Sequence, residues 1–258
     1  MLIKKFLHFF WHLGLVIDFF IRAKIAQFRE KDPIKRRQLY IRNTSHAGRN
    51  FLKAFSINVT TKGQEHLEAM RGRSYLAVGN HVSYTDILVL SALENFVFIT
   101  SVEMSRSPFL GDITRAGGCL FTDRKKPVSL PAEIEKFAEA VKQGFKVVLF
   151  PEGTSTNGET IREFRKSLFQ VAISAQTAIL PICVRYTHID GEPISASNRD
   201  IICWYGDMSF VPHFWKLMGH RIEVEVSFLP PIEYDPGIKR GDLSDIVHKQ
   251  LHDCYHGI

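Results

Sequence analysis

A histidine and an aspartate five residues apart, in Asn80-His81-Val82-Ser83-Tyr84-Thr85-Asp86, form the pair in this chain best suited to acid–base chemistry. On one helix, five steps would leave the two side chains roughly 140° apart, so they can meet only across a turn. Apolar runs on either side, 75–79 and 87–93, supply a strand that ends before His81 and a helix that opens near Asp86, with Ser83 or Thr85 as candidate N-cap. The first turn of a helix favours a carboxylate. A carboxylate that takes the proton of one imidazole nitrogen leaves the other nitrogen as a general base for a hydroxyl. A second pair at the same spacing, His248 and Asp253, lies in a C-terminal helix-like stretch and reads as chance. Only the first stands at an apolar strand-to-helix junction, where α/β sheets hold their chemistry.

Three further stretches could serve that base. In Val147-Val148-Leu149-Phe150-Pro151-Glu152-Gly153-Thr154 an apolar strand runs into Pro-Glu-Gly. Glu152 there could accept a hydrogen bond from a substrate hydroxyl, or simply close a strand-ending turn. Gly118-Cys119-Leu120-Phe121-Thr122-Asp123-Arg124 leads into Lys125-Lys126, a cluster suited to a phosphate through the Arg124 fork, or to a solvated loop. Ile179-Leu180-Pro181-Ile182-Cys183-Val184 reads as a buried strand whose proline implies a bulge or an edge; an acyl-chain pocket is the functional alternative.

The elements that must position these residues alternate. Strands are expected at 56–61, 75–79, 96–101, 146–150, 179–186, 201–205 and 222–228, and helices at 86–93, 108–116, 130–143, 164–176 and 243–255. Strands interleaved with helices predict an α/β fold, a mostly parallel central sheet flanked by helices. Ahead of it, residues 1–55 form a helical hairpin broken at Asp32-Pro33, and 56–258 form the α/β domain.

Charge is concentrated in that hairpin. The chain of 258 residues carries a formal net charge of +6, yet residues 1–55 alone hold 12 Lys/Arg and 3 Asp/Glu, and the rest is net acidic. The charge-free run 6–17 is too short for the ~20 residues that span a bilayer. Arg22-Ala23-Lys24-Ile25-Ala26 behind it is a poor cleavage site and a tilted span would have to tolerate Asp18, so the reading taken over these two is an aromatic helix lying in the membrane interface, basic residues toward anionic headgroups. No nucleic-acid-reading motif accompanies the basic segment, which sets that partner aside. The four cysteines form no C-x-x-C pair and read as free thiols. His8/His12 and His248/His252 lack a third ligand nearby, so no metal is expected.

The four motifs together resemble the 1-acylglycerol-3-phosphate acyltransferase family. They match it in order over about residues 56–230: N-H-x4-D at Asn80–Asp86, G-x-x-F-x-x-R at Gly118–Arg124, F-P-E-G-T at Phe150–Thr154, and the strand around Pro181. The resemblance implies transfer of a fatty acyl group from acyl-CoA or acyl carrier protein to the free hydroxyl of a lysophospholipid, 1-acylglycerol-3-phosphate first, with no cofactor. It makes His81 and Asp86 the catalytic pair and Asn80, Arg124, Glu152, Gly153, Thr154 and Pro181 the substrate contacts. Arg124 would bind the acceptor phosphate and Glu152 with Gly153 the glycerol. It also implies a peripheral enzyme on the cytoplasmic face of the inner membrane. The chain departs from the family pattern twice: Ser155 stands where an arginine is common, and Ser167 where a glycine follows Phe164-Arg165-Lys166. The first departure motivates an alternative acceptor, a lyso-aminolipid such as lyso-ornithine lipid. A serine hydrolase using Ser83 and a non-catalytic lipid-binding protein are the rivals outside this chemistry.

Overall fold

The computed structural model describes residues 2–123 and 125–258. Two antiparallel helices open the chain, α1 (Leu2–Arg29) and α2 (Pro33–Ala54). Proline at the first helical position and the Asp32 side chain, which accepts from the Lys35 amide at 2.8 Å, begin α2 where the sequence predicts.

The rest is a sheet wrapped by helices. In chain order it contains β1 (Ile57–Lys62), α3 (Gln64–Ala69), β2 (Leu76–Gly79), α4 (Thr85–Leu93), β3 (Phe96–Ser101), α5 (Val102–Arg106), α6 (Leu110–Ala116) and β4 (Leu120–Thr122). There follow α7 (Leu130–Lys142), β5 (Lys146–Leu149), α8 (Gln170–Ala175), β6 (Ile179–Ile189), β7 (Glu192–Pro193), α9 (Phe210–Leu217), β8 (Ile222–Phe228) and α10 (Arg240–His256). The strands lie in the order β1-β8-β6-β2-β5-β3-β4, with β7 on β6. All neighbouring pairs are parallel except β6 with β8 and with β7. The expected α/β class, mostly parallel and flanked by helices, therefore holds.

Alternation along the strands divides the core into two layers. Tyr75, Ala77, Leu180, Ile182 and Val184 face the layer that includes Phe51, Leu52 and Phe55 of α2 and Val89 and Leu90 of α4. Leu76, Val78, Val147, Leu149 and Ile179 face Ile134, Phe137 and Val141 of α7 and Leu243, Val247 and Leu251 of α10. Gly48 lets α2 lie directly on α4: a Cβ there would stand 2.8 Å from the Leu88 carbonyl oxygen. The hairpin's second helix thus shares the core of the α/β unit.

Several sequence expectations fail. The stretch 201–205 is no strand: a 3-10 turn (Arg199–Ile201) precedes an irregular run in which the Trp204 amide donates to the Val82 carbonyl at 2.9 Å. Its apolar residues satisfy their burial one by one rather than in a ladder. The helix expected over 164–176 is a 3-10 turn (Lys166–Phe169) followed by α8. Pro181 marks neither an edge nor a bulge: it lies inside β6, opposite Val78, and accepts from the Leu229 amide at 3.0 Å. The strand's irregularity falls instead between Tyr186 and His188.

Candidate active site

The carboxyl ends of β2, β3, β4 and β5 converge on one cavity of about 490 Å³. His81 reaches it from the end of β2, Ser101 from β3, Thr122 and Asp123 from β4, and Phe150, Pro151, Gly153 and Thr154 from β5. Ile87, Phe98, Ile99, Met104, Leu130 and Leu149 give it an apolar wall.

The turn after β2 brings the two ends of the H-x4-D motif together. His81 Nδ1 lies 2.8 Å from Asp86 Oδ2. The same oxygen accepts from the Val82 amide at 2.8 Å and the Ser83 amide at 3.0 Å, so the turn folds around the carboxylate. The other oxygen, Oδ1, accepts from the Tyr186 hydroxyl at 2.8 Å. Burial raises the Tyr186 phenol well above its ordinary range, which keeps the hydroxyl protonated and able to donate. Helix α4 begins at Thr85, with Asp86 in its first turn; neither Ser83 nor Thr85 makes a full side-chain cap. The imidazole stacks on Phe150 with ring centroids 4.3 Å apart and planes at 12°. In the neutral ring, Asp86 fixes the proton on Nδ1 and Nε2 is the nitrogen left for a substrate.

The other residues named from sequence divide into those that touch the cavity and those that hold its walls. Gly153 and Thr154 line it. Glu152 does not: it is 5% exposed, and its two oxygens accept from the His81 amide at 2.8 Å and the Arg162 amide at 3.0 Å. Glu152 therefore ties the turn after β5 to the turn after β2. Its burial pushes the carboxyl up to about 7, against the pull of those two backbone donors. Asn80, 1% exposed, is also behind the site, clasping both the amide and the carbonyl of Val184 on β6 at 2.8 Å. Pro181, buried in the sheet, is absent from the lining. Arg124 lies outside the described residues.

Gly153 and Arg165 form a unit. Gly153 has φ +73, and a Cβ there would meet Arg165 Nε at 2.9 Å, so only glycine lets the guanidinium lie across the turn. Arg165 lines the cavity, whereas Lys166 turns away to pair with Asp245 at 2.8 Å. Ser155, in the place of the common arginine, is 9% exposed and bonds the Trp204 carbonyl. Ser83 is fully buried and not part of the lining. Sequence reasoning missed Tyr186 and the Trp204-Tyr205-Gly206 wall, because residues a hundred positions from the motif carry no local signal of where the sheet delivers them.

The family model described as acyltransferase matches residues 58–185, from β1 through most of β6. The chain belongs to this acyltransferase family. A lyso-ornithine lipid O-acyltransferase of Rhizobium meliloti (strain 1021) is 31% identical over 194 residues, 72% of this chain and 66%, just under two thirds, of that relative's length. A 1-acyl-sn-glycerol-3-phosphate acyltransferase of Neisseria meningitidis serogroup B is 27% identical over 205 residues, 79% of this chain and 77% of its own. In fold, the chain matches the crystal structure of a 1-acyl-sn-glycerophosphate acyltransferase from Thermotoga maritima with a TM-score of 0.62 at 19% identity, covering 95% of both chains.

Proposed function

We propose that the protein moves a fatty acyl group from an acyl thioester, acyl-CoA or acyl carrier protein, to the free hydroxyl of a lyso-lipid at a membrane surface. The observation that carries this reading is the His81–Asp86 contact at the edge of a cavity with an apolar wall. His81 Nε2 takes the proton of the lipid hydroxyl as its oxygen attacks the thioester carbonyl. The carbon–sulfur bond then breaks, and the proton passes from His81 to the leaving thiolate. The lipid is itself the nucleophile, so no acyl-enzyme forms; the burial of Ser83 away from the cavity favours this over a serine hydrolase.

In this reading Asp86 orients His81, and Gly153 and Thr154 meet the acceptor. Arg165 faces its polar head, Arg124 keeps the phosphate-binding role that the family resemblance implies, and Asn80, Glu152 and Pro181 hold the frame. With Ser155 engaged by a backbone carbonyl, one cation of the common pattern is gone. That loss, together with the names of the lyso-ornithine lipid relatives, favours a lyso-aminolipid as acceptor. The second reading is lysophosphatidate, favoured by the Neisseria relative and by Arg165 on the cavity wall.

Membrane attachment through the N-terminal helices belongs to the same reading. No described helix is long and apolar enough to cross a bilayer. On α1, His12, Phe19, Ala23 and Ala26 are buried, while Phe10, Leu13, Ile17, Ile21, Ile25 and Phe28 recur on the opposite, exposed face. A soluble helix puts polar residues there, so an apolar stripe on both sides fits a helix lying in the interface of the inner membrane's cytoplasmic face. The test is purified protein with labelled acyl-CoA, offered lyso-ornithine lipid and lysophosphatidate in parallel, beside His81→Ala. Acylation of one lyso-lipid by the wild type and a loss of about 10²-fold or more in the variant is expected. A folded His81→Ala protein with full turnover would overturn the mechanism.

A further inference from the structure

We propose that the Phe109 turn and helix α9 together form a second membrane-inserting element, placing Phe109, Val211 and Trp215 in the lipid beside α1 and bringing the cavity to the bilayer. The inference builds on the membrane reading of α1 and extends it to a part of the chain that lies outside the basic segment.

Three observations carry it. On α9, His213 and Leu217 are buried and the opposite face shows Val211 at 72% and Trp215 at 42% exposure. A surface helix in water carries polar side chains in such positions. Phe109, 43% exposed, stands at the tip of a γ-turn with φ 65 and ψ −55, in which the Leu110 amide donates to the Pro108 carbonyl at 2.7 Å. That conformation is strained for a bulky residue, and such strain persists where a presented side chain has a use. The patch is also continuous with α1: Trp215 meets Phe9 at 6.0 Å between ring centroids, and Phe109 meets Phe20 at 6.4 Å and Phe210 at 6.3 Å. Phe9 and Phe20 lie along the margin of the exposed stripe on α1.

The occupant is a lipid bilayer. The patch extends a stripe that already suits the interface, and Trp215 next to exposed Lys216 is an aromatic–cation pair of the kind that anchors at headgroup level. Its position serves the site. Met104 and Thr114, in the helices on either side of the Phe109 turn, line the cavity, as do Trp204, Tyr205 and Gly206 just before α9. A lyso-lipid leaving the bilayer there would enter beside residues that line the cavity of His81.

The experiment reads tryptophan quenching on vesicles of phosphatidylglycerol and phosphatidylcholine with brominated acyl chains. Trp11→Phe reports on Trp215, Trp215→Phe on Trp11, and the double variant gives the Trp204 background. Quenching of both Trp11 and Trp215 is expected. So is a fall of about tenfold in vesicle partition for Val211→Glu with Trp215→Glu, since two apolar side chains leave the lipid. Quenching of Trp11 without Trp215 overturns the second element and leaves the α1 reading standing. If neither residue is quenched and no vesicles bind, both readings fall. Should the glutamate variant fail to fold, the quenching comparison still decides.

Discussion

Asp86 is the best-anchored side chain of the site, fully buried, with His81, Val82, Ser83 and Tyr186 all donating to it. Tyr186→Phe removes the Oδ1 donor and strands an acceptor in the core. Stability should fall by about 1–3 kcal/mol, read from chemical denaturation. Turnover should fall with little change in KM, because the phenol positions the base without touching substrate. Glu152 yields a pH prediction. Its folded carboxyl is raised from the ordinary 4.5 to about 7, so between those values the folded state holds more of the proton than the unfolded chain does. Its contribution is therefore greatest below about pH 4.5 and declines as pH rises through about 7. Denaturation midpoints of wild type measured against Glu152→Gln should converge or cross in that direction across the window. Equal slopes in the two proteins would show that Glu152 does not titrate there.

At the scale of elements, the contact of α2 with α4 depends on a missing side chain. Gly48→Ala would place a Cβ 2.8 Å from the Leu88 carbonyl and 3.1 Å from the Ala92 amide, both backbone atoms that cannot step aside. The helices must separate, at a cost of about 1–3 kcal/mol, and α4 carries Asp86. Lower thermal stability with reduced turnover is expected. An unchanged midpoint would mean that the contact is looser than the backbone distances require. The elements that frame the site were the most legible part of the sequence. Runs such as Leu76–Gly79 and Lys146–Leu149 are buried strands bounded by turn residues, and α4 follows directly from an apolar run. What could not be read was which side chains those strands deliver to the same place. Asn80 and Glu152 sit in the motifs that point to substrate, yet their polar atoms are taken by backbone groups of Val184, His81 and Arg162. The helix α9 went unread for a different reason: it is eight residues long with Pro212 near its start, too short for a helical period to stand out.

The whole molecule joins a net-acidic α/β unit to a basic, apolar-striped pair of helices, and the charge has a definite location. Lys35, Arg42, Arg49 and Lys53 are all exposed and recur every seven, seven and four residues, a single stripe along α2. His46, within a turn of Arg42 and Arg49, lies 3.9 Å from Asp18 of α1, so the basic stripe borders the helix whose outer face is apolar. The two stripes should therefore contribute separately to attachment. Each cation near an anionic surface is worth about 1 kcal/mol, so replacing all four with glutamine should weaken binding to phosphatidylglycerol vesicles by roughly three decades at low salt. The difference from wild type should shrink as salt shortens the Debye length. Binding to neutral phosphatidylcholine vesicles, which depends on the apolar face, should change little. A cosedimentation series over salt and lipid charge measures both. Equal losses on neutral and anionic vesicles would mean that the substitutions had disturbed the helix pair itself, and a loss on neither would place the basic stripe away from the bilayer.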